Sequence, residues 1–415
     1  MTQSQVDRLL HPDEARKIVF SHVEALEPES VPLDQAGDRF LVDDFVADVS
    51  LPPFPAATMD GYAVIHDDSS NPREVLGSGF AGDATSVTVT PGTAAKIMTG
   101  APVPDGADAV VQVENTKMVD GQVEIHQSDV RAGSNIRQIG ADLREGDLLI
   151  EAGTRLGPAE IGLLASLGQA KVLVGRRPRV VIYSTGNELV DPAEVPGAGQ
   201  IRDSNRFSLE VAARRAGAQI VRVGHIADEE DDVREALTSA LADADVVITS
   251  GGVSMGDKDL IKLILGELSE VHFRRLFMKP GKPMTFATTV GDTGDKKLLF
   301  GLPGNPVSCL VCFHLFVRPA LQVMQSTEPD SFPTVQVSLE HDIETSDRIE
   351  YQRAVVSVGR NGMLQARTTG SQMSARLMSF IGSNAFLIVP PSNDYYPAGE
   401  TLDAILVEPP GPADL

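Results

Sequence analysis

Cysteine is almost missing from this chain: Cys309 and Cys312 are the only two among 415 residues. Their C-x-x-C spacing belongs to redox and zinc motifs, but Val307, Leu310, Val311 and Leu315 set both inside an apolar helical pattern rather than at a helix start. No other His or Cys pair stands at a spacing that would complete a zinc site. Buried thiols are expected. Basic residues are scarce too: 35 Lys and Arg face 58 Asp and Glu, a net charge of −23. Nucleic acid and acidic membrane surfaces are polyanions, so neither is an expected partner. An anionic small molecule would need a local basic pocket. Long apolar runs are lacking as well. No stretch has 18 consecutive apolar residues, and the first residues lack the basic segment and apolar core of an export signal. A cytoplasmic location without membrane contact is expected. What is present is an apolar content of 42%, enough over this length for about two to four domains.

The densest chemistry lies in Val246 to Asp259, VVITSGGVSMGDKD. Val246 to Ile248 reads as a buried strand, which opens into Ser250-Gly251-Gly252, where missing β-carbons let backbone amides approach an anion. Asp257 and Asp259 bring carboxylates to the same strand end, so anion-binding amides and cation-binding oxygens meet in one loop. The pattern suggests a phosphate-bearing ligand with a divalent metal, set against the plainer reading of a glycine turn before a helix.

Taken in order, Pro12 to Leu26 carries a helical apolar stripe, expected to pack or dimerise. The prolines of LPPFPAATMDGYAV then break the pattern. From Gly61 to Ile139 short β-branched runs separated by Gly, Pro and Asp predict a small β domain. Gly77 to Gly82 formally matches G-x-G-x-x-G, but no helical pattern follows it, so a dinucleotide site is not expected. Asp60 and Thr99 each stand beside a glycine, a setting that by itself reads as a turn. Asp142 lies in another turn, and Pro158 to Leu167 reads as a helix that rejoins the N-terminal one.

After Pro178 strands and helices alternate. Arg179 to Ser184 ends at Thr185-Gly186-Asn187-Glu188, Asp203-Ser204-Asn205 caps a helix, Ile220 to Ile226 ends at Asp228, and the Val246 strand follows. This predicts a mostly parallel sheet with helices on both faces and a ligand at the carboxyl ends of its strands. Arg275, Lys279 and Lys282 around Pro280-Gly281 form the required cationic patch. Pro303-Gly304-Asn305-Pro306 places Asn305 as a helix cap and turns free amides outward, a second candidate anion site. Beyond Pro329 the Asn361-Gly362 hairpin signal and further strands predict a C-terminal barrel or sandwich. Arg348, Arg353 and Ser374 are its polar candidates.

PPFPAATMDGYAV, IMTGAPVP, STGNEL, SGGVSMGDKD, KPGKP and GLPGNPVS occur in that order along the chain. Together they resemble the molybdopterin molybdenumtransferase family, MoeA in bacteria and the E domain of gephyrin in animals. The resemblance implies a central three-layer α/β/α domain of the molybdopterin-binding type at 178–327. It also implies an N-terminal helical domain (1–51 with 140–177), an inserted β domain (52–139) and a small C-terminal β-barrel (328–415). It further implies a homodimer that converts adenylylated molybdopterin and molybdate into molybdenum cofactor and AMP with magnesium. A molybdopterin-adenylylating enzyme and apo-molybdoenzymes are the implied partners.

Carried over by position, the family's acidic and hydroxyl site residues fall on Asp60, Thr99, Asp142, Glu188, Asp228 and Asp259, with Glu188, Asp228 and Asp259 the magnesium candidates. The substrate cradle falls on Ser250, Gly251, Gly252, Ser254, Arg275, Lys279, Lys282, Pro303, Gly304 and Asn305. Molybdate, an oxyanion, is assigned to Lys279, Lys282, Ser308, Arg353 and Ser374, because direct contact with carboxylates would set like charges together. At Arg275 relatives can carry Lys, and a forked donor holds an anion differently from a point charge. Two alternatives stand beside this reading. A molybdopterin adenylyltransferase would need only the α/β domain, and a gephyrin-like scaffold would be expected to carry a long linker or a further domain.

Overall fold

The computed structural model describes residues 6–79, 87–252, 260–291, 294–328, 333–360, 362–392 and 394–410. The chain forms two compact units, one of Met1–Val42, Gly153–Gly157 and Lys171–Leu415, the other of Asp43–Ala152 and Pro158–Ala170.

The first unit is built on a seven-stranded sheet. In chain order its strands are β1 (Leu9–Leu10), β2 (Arg179–Thr185), β3 (Gln219–Ile226), β4 (Val246–Ser250), β5 (Glu270–Leu276), β6 (Pro283–Val290) and β7 (Lys296–Leu302). The spatial order is β1-β5-β6-β7-β4-β2-β3. The neighbours β7, β4, β2 and β3 are parallel, whereas β6 is antiparallel to both β5 and β7. Side-chain alternation feeds two cores. Val180, Ile182, Val246, Ile248, Leu298 and Phe300 enter one, and Val181, Tyr183, Val247 and Leu299 enter the other.

Helices cover both faces. Ala15 and Val19 of α1 (Pro12–His22) and Leu209 and Ala213 of α2 (Asn205–Arg215) pack in the first core. Val233 and Leu237 of α3 (Glu230–Asp243) and Ile264 and Leu265 of α4 (Leu260–Leu268) pack in the second. Each fully buried Leu or Ile contributes about 1.5–3 kcal/mol. The result is the expected three-layer α/β/α arrangement, with β1 and α1 belonging to it through pairing of β1 with β5.

Helix α5 (Pro306–Cys312) continues through a π-helical turn, Phe313–Val317, into Arg318–Val323. This run is long and apolar enough to cross a membrane, but 78% of it is buried inside the unit, which accounts for its composition. Cys309 and Cys312 are among its buried residues and are free thiols.

The C-terminal strands are β8 (Thr334–Leu339), β9 (Ile349–Val358), β10 (Leu364–Thr368), β11 (Ala385–Val389) and β12 (Thr401–Leu406). They pair in the cycle β9-β10-β8-β12-β11 and back to β9, a closed five-stranded barrel. The β9–β10 turn is closed by Gly359 N–H to Met363 O at 2.7 Å, with Gly362 at φ 78°. Asn361 of that turn lies outside the described residues.

The second unit carries a six-stranded sheet in the order Ala109–Gln112, Gly61–Val64, Thr93–Ile97, Arg73–Gly79, Gln122–Ile125, Thr116–Val119. Gly61 is obligatory there, because a β-carbon would fall 1.9 Å from Val111 O. The G-x-G-x-x-G stretch begins inside strand Arg73–Gly79, and its Gly82 lies outside the described residues. Helix Pro158–Ser166 belongs to this unit, with Leu163 and Leu167 packed against Ala47 and Leu143. α1 is grouped with the first unit, where its apolar stripe, Ala15 and Val19, packs in the α/β core.

Candidate functional site

Because β7, β4, β2 and β3 are parallel neighbours, their carboxyl ends share one edge. Each end opens into a loop picked out in the sequence: Pro303 to Asn305 after β7, Ser250 to Gly252 after β4, Thr185 to Glu188 after β2, and Asp228 after β3. They enclose a cavity of about 1120 Å³ whose walls include Glu188, Asp228, Ser250, Gly251, Gly252, Pro303, Gly304, Asn305 and Ser308. The structure thus brings these residues, singled out in the sequence, around one cavity. Ser254, Asp257 and Asp259 lie outside the described residues.

The glycine requirement is steric. Gly251 has φ 92°, and a β-carbon on it would lie 2.6 Å from Thr185 O; Gly252 has φ 63°, and its β-carbon would meet Ile261 Cγ1 at 2.7 Å. Gly304 differs, since a β-carbon there would only touch Gly251 Cα at 3.6 Å. The two turns lie against each other, and Gly251 N–H donates to Leu302 O at 3.1 Å. Asn187 Oδ1 accepts from the Asp228 N–H at 3.1 Å and ties the β2 and β3 ends together. Glu188 and Asp228 are both exposed and make no ion pair among the described residues, so their carboxylates are available to a ligand. No group of three or more His, Cys, Asp or Glu side chains that could hold a metal ion occurs among the described residues.

Asn205 is a residue whose part sequence reasoning missed. It was seen only as part of a helix cap, whereas Asp203 Oδ1 caps α2 by accepting from Arg206 N–H at 3.3 Å, with Ser204 making no cap bond. Asn205, buried at the start of α2, donates from Nδ2 to Ser250 Oγ and to Gly304 O, both at 2.7 Å. Asp203 is buried as well and accepts from Ser184 Oγ on β2. The available signal was a polar triplet, Asp203-Ser204-Asn205, one residue richer than a cap requires. Beneath Ser250, the Cys309 thiol is pushed up to about 12 by burial, offset in part by its hydrogen bond with Ser250. Burial likewise raises Cys312. Both are buried and favour the protonated form at neutral pH, the setting of a packed thiol.

The basic candidates are placed differently. Lys279 Nζ donates to Glu350 Oε1 at 3.0 Å, and Glu350 Oε2 also accepts from Gln352 Nε2 at 3.0 Å. Lys282 precedes Pro283, a cavity wall residue, and is half-buried. The intervening Gly281 has φ 105°, where a β-carbon would strike Cys312 Sγ at 2.7 Å. Arg275 sits near the end of β5 beside Leu9 of β1, and its Nε is buried with no hydrogen-bond partner among the described residues. Ser374 meets the second turn from the barrel side: its Oγ accepts from Asn305 Nδ2 at 3.2 Å and its carbonyl from Val307 N–H at 3.1 Å.

Arg353 was expected to face an oxyanion, and the structure places it elsewhere. It is fully buried on β9, with Nε donating to Ser379 Oγ at 3.0 Å, Nη1 to Tyr351 O at 3.4 Å, and Nη2 without a partner among the described residues. Burial lowers it to about 10, with Glu350 opposing the shift. A sealed guanidinium acts on a solvated anion through its field rather than by contact.

The second unit brings another pair together. Asp60 Oδ1 accepts from both the backbone N–H and the hydroxyl of Thr99, each at 2.7 Å. These bonds, the backbone one foremost, hold Asp60 below the usual carboxylate range. Asp142 is ion-paired with Arg137, which lies on the strand next to Ala56–Ala57.

Comparison with known proteins agrees region by region. Residues 10–168 match the MoeA N-terminal region (domain I and II), 181–323 a probable molybdopterin binding domain, and 339–407 the MoeA C-terminal region (domain IV). The molybdopterin molybdenumtransferase of Haemophilus influenzae is 33% identical over 97% of this chain and 98% of its own length. That of Bacillus subtilis is 36% identical over 95% and 93%. A crystal structure of a Pyrococcus horikoshii molybdopterin biosynthesis MoeA protein superposes with a TM-score of 0.81 at 30% identity, covering 97% of this chain and all of that one. With its strand-end cavity, closed C-terminal barrel and matches along nearly its whole length, the chain belongs to the MoeA family of molybdopterin molybdenumtransferases.

Proposed function

We propose that this protein inserts molybdenum into adenylylated molybdopterin, consuming molybdate and releasing AMP. The observation that carries the reading is the cavity at four strand ends, whose walls combine two glycine-bearing turns with two uncommitted carboxylates. The Asn305 N–H, which makes no hydrogen bond among the described residues, suits a phosphate oxygen, and carboxylates suit a divalent cation shared with a pyrophosphate. Glu188 and Asp228 fit such a role, since magnesium is commonly bound through one or two carboxylates with substrate phosphates completing its shell; Asp259 is the third candidate from the sequence. When bound, magnesium would supply charge neutralisation at the anhydride.

The chain's own residues do the rest. Ser250 to Gly252 and Gly304 to Asn305 orient the pyrophosphate, while Lys279, Lys282, Ser308 and Ser374 offer donors for molybdate, with Arg353 adding positive potential from within the barrel. Breaking the anhydride requires positioning and charge stabilisation more than a covalent nucleophile, in keeping with cysteines held protonated in the core. Asp60, Thr99 and Asp142 belong to the same reaction in this reading, through a homodimer that acts in the cytoplasm and delivers cofactor to apo-molybdoenzymes. The test is AMP release from adenylylated molybdopterin with magnesium, with and without molybdate. Release that depends on molybdate and yields cofactor able to activate an apo-molybdoenzyme is expected; full release without molybdate overturns the coupling.

A further inference from the structure

The geometry points to Asn205 as a positioning residue that turns the Asn305 N–H toward the cavity and so makes it an anion donor. The inference rests on the pterin-nucleotide reading and names the backbone group that meets the phosphate. Asn205 is 8% exposed and lines the cavity. Its orientation is fixed chemically: Gly304 O is only an acceptor, so the amide nitrogen must face it. Both side-chain hydrogen bonds leave from Nδ2, and Oδ1 stays buried without a partner among the described residues. A buried acceptor left unsatisfied is costly, so the side chain holds this pose because the bonds to Ser250 and Gly304 outweigh that cost.

The consequence follows from peptide planarity. The Gly304–Asn305 bond is not among the cis peptides of the chain, and in a trans peptide the carbonyl and the next N–H point in opposite directions. With Gly304 O drawn to Asn205, the Asn305 N–H is aimed away from Asn205. It has no hydrogen-bond partner among the described residues, while the next amide donor along, Val307 N–H, is taken by Ser374 O at 3.1 Å. Pro306 has no N–H to offer. Asn205 also grips Ser250 Oγ, so one side chain locks both turns at once. Freed from that clamp, the peptide could rotate and present its carbonyl to the anion, which would repel it.

Asparagine-selective 15N labelling of the full chain, titrated with magnesium pyrophosphate, tests the inference. In the wild-type protein the Asn305 amide signal is expected to move with saturation. In Asn205→Asp, where a carboxylate faces the Gly304 carbonyl, that shift is expected to vanish and affinity to fall about tenfold, the scale of one charge-assisted hydrogen bond. Asn205→Ala removes the clamp without the repulsion and serves if the Asp variant does not fold; the same loss of the Asn305 shift is expected. An Asn305 signal that moves equally in wild type and variants overturns the positioning role. Wild-type binding that moves the Asn187 signal but not that of Asn305 overturns the donor while leaving the cavity reading intact. No pyrophosphate binding by the wild type overturns both.

Discussion

Asp60 Oδ1 takes two hydrogen bonds from one residue, Thr99, through its backbone N–H and its hydroxyl at 2.7 Å each. The two lie 39 positions apart and meet because the strands Gly61–Val64 and Thr93–Ile97 are paired antiparallel, Gly61 opposite Ile97. The pair fixes the rotamer of an exposed carboxylate that would otherwise swing freely. Thr99→Val removes the hydroxyl bond and keeps the backbone one. The Asp60 pKa is expected to rise toward its ordinary value, and turnover to fall roughly tenfold through lost orientation. The sign is fixed: a depressed carboxylate adds stability above its unfolded value and loses it as pH falls through the lower folded value. The variant should therefore change acid stability only below about pH 4. Turnover equal to wild type would show that the pairing is only structural.

Acid sensitivity of the fold should instead come from histidine. His272 on β5 is 1% exposed, stacks on His22 of α1 at 3.8 Å between ring centroids, and shares a hydrogen bond with Thr288 Oγ1 at 2.8 Å. Burial, reinforced by His22 and opposed by Glu270, lowers it to about 4. His314, buried near Arg318 and Arg215, is lowered to about 4 as well. An unfolded histidine takes its proton at about pH 6.5 and these do not, so stability is full above that pH and falls toward 4, by about 3 kcal/mol per residue across the window. Urea midpoints measured from pH 7.5 to 4.5 should show this slope. His272→Gln should flatten part of it, and an unchanged slope would remove His272 as the cause.

Lys279 is already held by a carboxylate. Glu350, with a side chain 6% exposed, grips Lys279 Nζ at 3.0 Å. An incoming oxyanion has to compete with that pairing. Glu350→Gln keeps an acceptor for Lys279 and removes the charge, so molybdate should bind severalfold tighter at low salt, with the gain screened away near 1 M salt. Stability should drop by about 1 kcal/mol, since Gln352 loses a charge-assisted partner. Weaker binding in calorimetry would mean that Glu350 orients Lys279 rather than competing for it.

What the sequence made legible depended on range. The strands around Val180 and Val246, the Gly251-Gly252 turn and the Asn305-Pro306 helix start were readable because periodicity and missing side chains are local signals. The packing of α1 was not, since its Ala15 and Val19 stripe fits any apolar partner, and the long-range pairing of β1 with β5 brings it to the α/β core. Arg353 was misjudged for a related reason. Alternation along β9 reports which faces a strand has, but closure of the barrel, made by pairings such as Arg353 with Phe386, decides which face is sealed. Asn205 was hidden because a helix-start asparagine looks like a cap until Ser250 and Gly304 arrive from 45 and 99 residues away.

The two anion turns should answer differently to the same substitution. Gly251→Ala forces a β-carbon to within 2.6 Å of Thr185 O at a φ of 92°. Strain of this kind costs about 1–3 kcal/mol, so the variant should melt lower and lose turnover together. Gly304→Ala has no such clash, its β-carbon lying in ordinary contact with Gly251 Cα at 3.6 Å, and stability should stay within about 0.5 kcal/mol of wild type. Yet Gly304 lines the cavity where a phosphate would approach the backbone, so pyrophosphate affinity and turnover should still fall. A Gly304→Ala protein with normal melting and undiminished binding would show that the ligand does not approach the Gly304–Asn305 peptide, and would confine the phosphate to the Gly251 turn.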